Sequence, residues 1–291
     1  MHTITRKNIV LSVILTVIMV FSMIPLSVFA AESNVAEVTV NGTTTRYATL
    51  TDAIDEAIRT LFNDKVDLIQ EGTEVEADIK LLRQFSENVV VDSDLPLINI
   101  NIILGDDEGD PSETPYWTAQ DDGVPLTAES GGVTLRGGSI SADANSAIVM
   151  NGGILTIAGS VTEIKGGEDA AGYQYPAINA KDGELVLQGN TILDGGLSVG
   201  NYAKVKGGLK GGIFTNSVDS AARISLADYS SYPSVFDLLA PGYLFAEYNK
   251  DTGETGDFIA KDATVKSLTK DVIVVKCPAH TDTDNDGNCD V

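Results

Sequence analysis

The sharpest local chemistry in the sequence lies between Cys277 and Val291. Asp282, Asp284, Asp286 and Asp290 stand at positions one, three, five and nine of a calcium loop, with Asn288 at position seven. Gly287 occupies position six, where a tight turn aims the oxygen ligands inward. A hard divalent cation takes oxygen ligands, so this spacing gives affinity for Ca²⁺. The acid expected at position twelve would fall at 293, past Val291. The same segment carries a second ligand set, Cys277-x-x-His280 with Cys289, which is three quarters of a zinc site whose fourth member would be residue 292. A third reading joins Cys277 to Cys289 as a disulfide, which an oxidising exterior permits. Completeness of motif orders these as calcium, disulfide, zinc. Both interrupted motifs carry the expectation that the natural domain continues beyond Val291.

A second cluster sits mid-chain. Asp106, Asp107, Glu108 and Asp110 precede Asp121 and Asp122, and Tyr116-Trp117 lies between the two groups. Carboxylates beside an aromatic pair suit Ca²⁺ or a sugar, with the rings as a stacking platform. The competing reading is a solvated insertion loop, the usual meaning of a charge run. The acids Asp143, Glu163, Asp169, Asp182, Glu184 and Asp194 read as loop or turn residues with no shared register. Beyond residue 30 the only histidine is His280, so a Ser-His-Asp triad has no place in the folded core. No phosphate or dinucleotide loop stands at a strand-to-helix junction.

The elements that must carry these residues begin after an export signal. Arg6 and Lys7 precede the apolar run Ile9 to Phe21, and Val28 and Ala30 supply a small-residue cleavage site, so residues 1–30 read as a signal peptide. The rival is a membrane anchor over Ile9 to Ala31. The 291 residues hold 19 Lys and Arg against 42 Asp and Glu, a net charge of -23, which repels nucleic acid and anionic membrane. Cleavage removes two basic residues and no acid. In the cap at 31–78, Glu37–Val40 and Thr43–Tyr47 form a hairpin about Asn41-Gly42. Thr49-x-x-Asp52 then opens a helix whose apolar face is Ala53, Ile54, Ala57, Ile58, Leu61 and Phe62. Strands resume at Val66, Leu68 and Ile69, and again at Ile79, Leu81 and Leu82.

From 79 to 226 the sequence repeats. LTAESGGVTLRG (126–137), IVMNGGILTIAG (148–159) and INAKDGELVLQG (178–189) each hold a short strand, a glycine turn and a second alternating strand. Equivalent glycines Gly137, Gly159 and Gly189 are offset by 22 and 30 residues, one solenoid turn with an inserted loop in the longer. Stacked coils would bury a column of Ile, Leu and Val that no single coil could bury. The fold class expected is all-β, a right-handed parallel β-helix with a small N-terminal α/β cap. An antiparallel sandwich is the competing architecture. Tyr229, Tyr232, Phe236, Tyr243, Phe245 and Tyr248 are expected to close the far end within a capping segment at 227–276, ahead of the tail at 277–291.

The run Tyr47-Ala-Thr-Leu-Thr-Asp-Ala-Ile-Asp-Glu-Ala57, followed by glycine-punctuated coils, resembles the capped start of pectin-lyase-like β-helix proteins. The resemblance spans roughly 37–260 and extends to secreted or surface-attached repeat proteins of gut Gram-positive bacteria. It implies a fold and an extracellular, often carbohydrate-related or adhesive setting, without implying one activity. The tail loop in turn resembles those of dockerin and thrombospondin type-3 repeats. The function expected is a monomeric, secreted or cell-surface module that contacts a glycan or a host or cell-surface protein without catalysis. Ca²⁺, or Zn²⁺ in the second reading, would stiffen its tail. The alternatives are a polysaccharide lyase with its site between Asp106 and Asp122, and a structural stalk.

Overall fold

The computed structural model describes residues 34–105 and 116–277. The expected signal peptide, Asp106 and Asp107, and the tail from residue 278 lie outside the described residues. The chain opens with the antiparallel hairpin of β1 (Ala36–Val40) and β2 (Thr43–Tyr47). Asn41 and Gly42 at its tip have φ of 51° and 76°, the paired left-handed conformation whose twist suits a two-residue hairpin.

The helix α1 (Leu50–Gln70) follows, with Leu50, Ala53, Ile54, Ala57 and Leu61 buried. The Thr49 hydroxyl accepts the Asp52 amide at 3.1 Å. Glu87 completes the cap from a distance: its carboxylate accepts the amides of Leu50 at 2.8 Å and Thr51 at 2.9 Å. An anion there meets the positive end of the helix dipole. The strand expected at Val66, Leu68 and Ile69 is instead the end of α1, which continues through a kink at Lys65. Val66 and Ile69 extend the helical spacing of Ile58 and Phe62, and Ile69 packs on the core.

Beyond α1 the strands form three parallel ladders. The first contains β3 (Val75–Leu81), β6 (Ile98–Ile103), β9 (Gly132–Arg136), β12 (Ile154–Ile157) and the later parts of β14 (Ile178–Leu187) and β16 (Leu197–Val205). The second contains β5 (Val89–Val91), β8 (Leu126–Ala128), β11 (Ile148–Met150), the earlier parts of β14 and β16, and β18 (Ile224–Leu226). The third contains β4 (Phe85–Ser86), β7 (Tyr116–Thr118), β10 (Ser139–Ser141), β13 (Glu163–Lys165), β15 (Ile192–Asp194) and β17 (Ile213–Thr215). The chain visits the first, third and second ladders in that order and then begins again.

Register places like upon like. Ala77, Ile100, Val133, Leu155, Leu185 and Val205 stand in one buried row of the first ladder. Val89, Leu126, Ile148, Ile178, Leu197 and Ile224 form the row of the second. In the third, Phe85, Trp117, Ile140, Ile164, Leu193 and Phe214 are aligned. Strands of three residues have little stability alone. Burying one large apolar side chain contributes about 1.5–3 kcal/mol, so the rows hold the short strands in place. Where the second ladder turns into the first, Gly153 (φ 69°) and Gly183 (φ 90°) stack one circuit apart, and a Cβ on Gly183 would lie 2.5 Å from the Gly153 carbonyl oxygen. Only glycine fits both the backbone conformation and the approach.

Antiparallel strands close the series at each end. β1 pairs with β3, while β22 (Val272–Lys276) and β21 (Ser267–Leu268) pair with β17 and β18. β22 also pairs with β19 (Tyr243–Asn249), which pairs with β20 (Glu254–Phe258). Of the aromatic residues expected to close this end, Phe236, on the short 3₁₀ helix Val235–Leu238, meets Phe245 edge to face at 5.6 Å. The Tyr232 hydroxyl accepts the Val205 amide at 2.8 Å. Tyr229 is exposed and takes no part. Among the described residues, no helix is long and apolar enough to cross a membrane.

Candidate functional site

Of the mid-chain residues expected to act together, Asp106 and Asp107 lie outside the described residues. Trp117 is fully buried in the third row, stacked on Phe85 at 5.6 Å, and its indole N–H donates to the Glu87 carbonyl at 2.9 Å. It offers no platform to a ligand, because alternation along β7 turns Tyr116 outward and Trp117 inward. Tyr116 donates its hydroxyl to Ser141 Oγ. Asp121 and Asp122 are exposed in the turn after β7, Asp121 with φ 52°. The calcium-loop residues Asp282, Asp284, Asp286, Asn288 and Asp290, together with His280 and Cys289, lie outside the described residues. Cys277 is disulfide-bonded and buried. Among the described residues, no group of three or more His, Cys, Asp and Glu is arranged to hold a metal ion.

What the fold does bring together is the outward face of the third ladder. In its three-residue strands the central residue turns inward and the two beside it lie on the other face. Register then lines up Thr118, Ser141, Lys165, Asp194 and Thr215 in one row, of which Ser141 and Thr215 are buried, and Tyr116, Ser139, Glu163, Ile192 and Ile213 in the next. Asp194 is the hub. Its carboxylate lies 3.5 Å from Lys165 Nζ and accepts from Gln174 Nε2 at 3.3 Å and Thr215 Oγ1 at 3.5 Å. Buried Gln174 is itself fixed, since its Oε1 accepts both the amide and the hydroxyl of Ser217, at 2.6 and 2.8 Å. Half-buried Glu163 sits beside this hub. Burial foremost, and the Asp194 charge after it, push its carboxyl above the usual range, while Lys165 pulls it back.

A finger formed by residues 166–177 is joined to this face through Gln174. Glu168 and Gln174 bridge antiparallel, and the Asp169 carboxylate accepts the amides of Ala171 at 2.9 Å and Tyr173 at 3.0 Å. At its base the backbone passes its neighbours too closely for any side chain: a Cβ on Gly166 would lie 2.0 Å from the Tyr175 carbonyl oxygen. Tyr173, 55% exposed, meets Tyr175 edge to face at 5.2 Å. Fixed carboxylate acceptors, an ammonium donor, hydroxyls that both give and take, and an exposed aromatic ring form a set suited to polyhydroxylated ligands.

Sequence reasoning placed Glu163 and Asp194 in unrelated loops. The available signal was the recurring triplet with an apolar centre and a polar third residue, Ser139-Ile-Ser141, Glu163-Ile-Lys165 and Ile192-Leu-Asp194, one in each circuit.

The chain was compared with protein-family models, curated proteins and solved structures, and none of the three comparisons finds a match.

Proposed function

We propose that the chain is an exported right-handed parallel β-helix module of the pectin-lyase-like type that contacts carbohydrate at the cell exterior in an adhesive, non-catalytic role. Its contact surface is the outward face of the third ladder with the 166–177 finger. The three ladders visited in constant order support the β-helix reading. The observation that carries the functional reading is the pre-built state of Asp194. Lys165, Gln174 and Thr215 hold its carboxylate, and the residue before Gln174 in the chain is the exposed Tyr173. Donors already satisfied in the folded state fix an acceptor for sugar hydroxyls, and such pre-organisation lowers the cost of binding. In the same reading the loop Asp282–Asp290 takes Ca²⁺ and stiffens the tail.

A second reading, a glycan-cleaving enzyme, is favoured by one observation: half-buried Glu163, aligned beside the Lys165–Asp194 pair, has its carboxyl raised above the usual range, as suits a general acid. One experiment separates them. The purified chain is screened on immobilised glycans, including polygalacturonate and mucin glycans, with Ca²⁺ and with chelator, and products are followed in the same wells. Saturable binding without product, lost in Tyr173→Ala and Asp194→Asn, is the expected result. Product formation abolished by Glu163→Gln would replace the adhesive role with the catalytic one.

A further inference from the structure

A groove of about 480 Å³ lies between α1 and the turn joining β5 to β6. Asp55, Ile58, Arg59 and Phe62 form its helical wall, and their spacing of three, four and seven residues puts them on one face. The opposite wall is Asp92, Ser93, Asp94 and Leu95. Ile58, Phe62 and Leu95 make it apolar, and Phe62 remains 47% exposed. The turn is rigid. Ser130 Oγ donates to Asp92 Oδ1 at 2.6 Å and accepts the Asp94 amide at 2.9 Å, and Ser93 Oγ donates to the Leu95 carbonyl at 2.8 Å. Asp94 itself adopts φ 53°, a left-handed conformation held by these contacts.

The charges in the groove are unbalanced. Arg59, the one cation among the described lining residues, is committed to Glu56, with Nε at 2.9 Å from Oε2. Asp92 is engaged by Ser130, while Asp55 and Asp94, one on each wall, have no cationic partner among the described residues. An apolar floor between two such carboxylates matches a side chain with a methylene stem and a cationic head. We infer that this groove docks a lysine side chain of a partner protein together with its apolar neighbours. The stem would lie along Phe62, Ile58 and Leu95, with the ammonium between Asp55 and Asp94. Acceptors on opposite walls suit an ammonium, whose three donors point to separate partners. They suit a guanidinium less, since its planar fork needs both oxygens of one carboxylate. The volume exceeds that of one side chain, which favours a peptide over a free amine, and the net charge of -23 draws a basic partner in.

The test is an amide chemical-shift titration of the full chain with the peptide Ac-Ala-Leu-Lys-Leu-Ala-NH₂, with a norleucine-centred peptide and n-butylammonium as comparisons. Shifts should concentrate on α1 and residues 92–95. Affinity should fall at least about threefold as salt rises from roughly 50 to 300 mM, because the Debye length shortens across that range. The norleucine peptide and the Asp55→Asn/Asp94→Asn variant should each bind about tenfold more weakly, the loss expected for one charge-assisted contact, and n-butylammonium, which keeps the charge but lacks the apolar neighbours, should also bind about tenfold more weakly through lost apolar burial. The Asp121→Asn/Asp122→Asn variant, with acids removed elsewhere on the surface, should bind as the parent does. Equal affinity for the norleucine peptide, equal affinity for n-butylammonium, shifts centred elsewhere, or no shift at all would overturn the inference.

Discussion

Arg223 offers the clearest test of how the last circuit is tied to the strands that close it. Its side chain is 4% exposed, and Nε donates to Asp271 Oδ1 at 2.6 Å, across to the loop before β22. Nη1 donates to the carbonyls of Val218, Asp219 and Ala221 at 2.9, 3.1 and 2.7 Å, and Nη2 to that of Asn216 at 3.3 Å. Arg223→Met keeps the stem and removes every one of these donors. Asp271, only 13% exposed, is then left without its cation. Breaking a buried pair from one side costs about 3–5 kcal/mol, mostly the uncompensated charge. In a molecule built from stacked circuits the loss falls on the nearest unit first. Hydrogen exchange is therefore the assay. Amides of β21 and β22 should lose protection by about a hundredfold or more, at one factor of ten for each 1.4 kcal/mol. Amides around Trp117 should change far less. Arg223→Met with Asp271→Leu should recover most of the loss, since an apolar pair replaces the orphaned carboxylate. A change below about 1 kcal/mol at β22, or an equal loss everywhere, would refute the reasoning.

Three further outcomes follow from other contacts. Burial and Asp194 hold the Glu163 carboxyl above the usual range, so the folded state keeps its proton more firmly than the unfolded chain does. The stability this contributes is complete below the ordinary glutamate range and is lost as pH rises through the raised value. Glu163→Gln should remove that slope and melt higher than the parent near neutral pH, and parallel melting curves across the window would contradict this. Gly183→Ala should cost about 1–3 kcal/mol in urea unfolding, because φ 90° and a Cβ at 2.5 Å from a carbonyl oxygen leave no relaxed conformation; a loss within about 0.5 kcal/mol, the range of an ordinary surface change, would count against it. Glu87→Ala should cost about 1–3 kcal/mol and reduce the helical circular dichroism signal, since two amides of the first turn of α1 lose their acceptor. An unchanged helix would show that Thr49 alone suffices as the cap.

How much of this was legible in the sequence depended on strand length. Val133 with Leu135, Leu155 with Ile157 and Leu185 with Leu187 alternate over enough residues to declare a period of two, and the structure pairs them row on row. The strands of the third ladder have one inward residue each, too few for any period, so the face built on Glu163, Lys165 and Asp194 read as loop. Trp117 was misplaced for the same reason: with three residues in β7, nothing in the sequence tells which ring faces inward. Thr49 and the apolar stripe after it announced α1, but its end did not show, since Val66, Leu68 and Ile69 fit a short strand as well as a last helical turn. Glu87, the long-range cap of α1, could not be seen at all, because its partners lie 36 and 37 residues away.

The central claim, that the outward face of the third ladder contacts carbohydrate, is tested most directly by titrating the isotopically labelled chain with oligosaccharides from polygalacturonate and from mucin glycans. The account predicts saturable amide shifts centred on Glu163, Tyr173, Asp194 and Ser217, with no product formed and with Tyr173→Ala abolishing them. Shifts centred instead on the Asp121–Asp122 turn, or none with either glycan class, would contradict it.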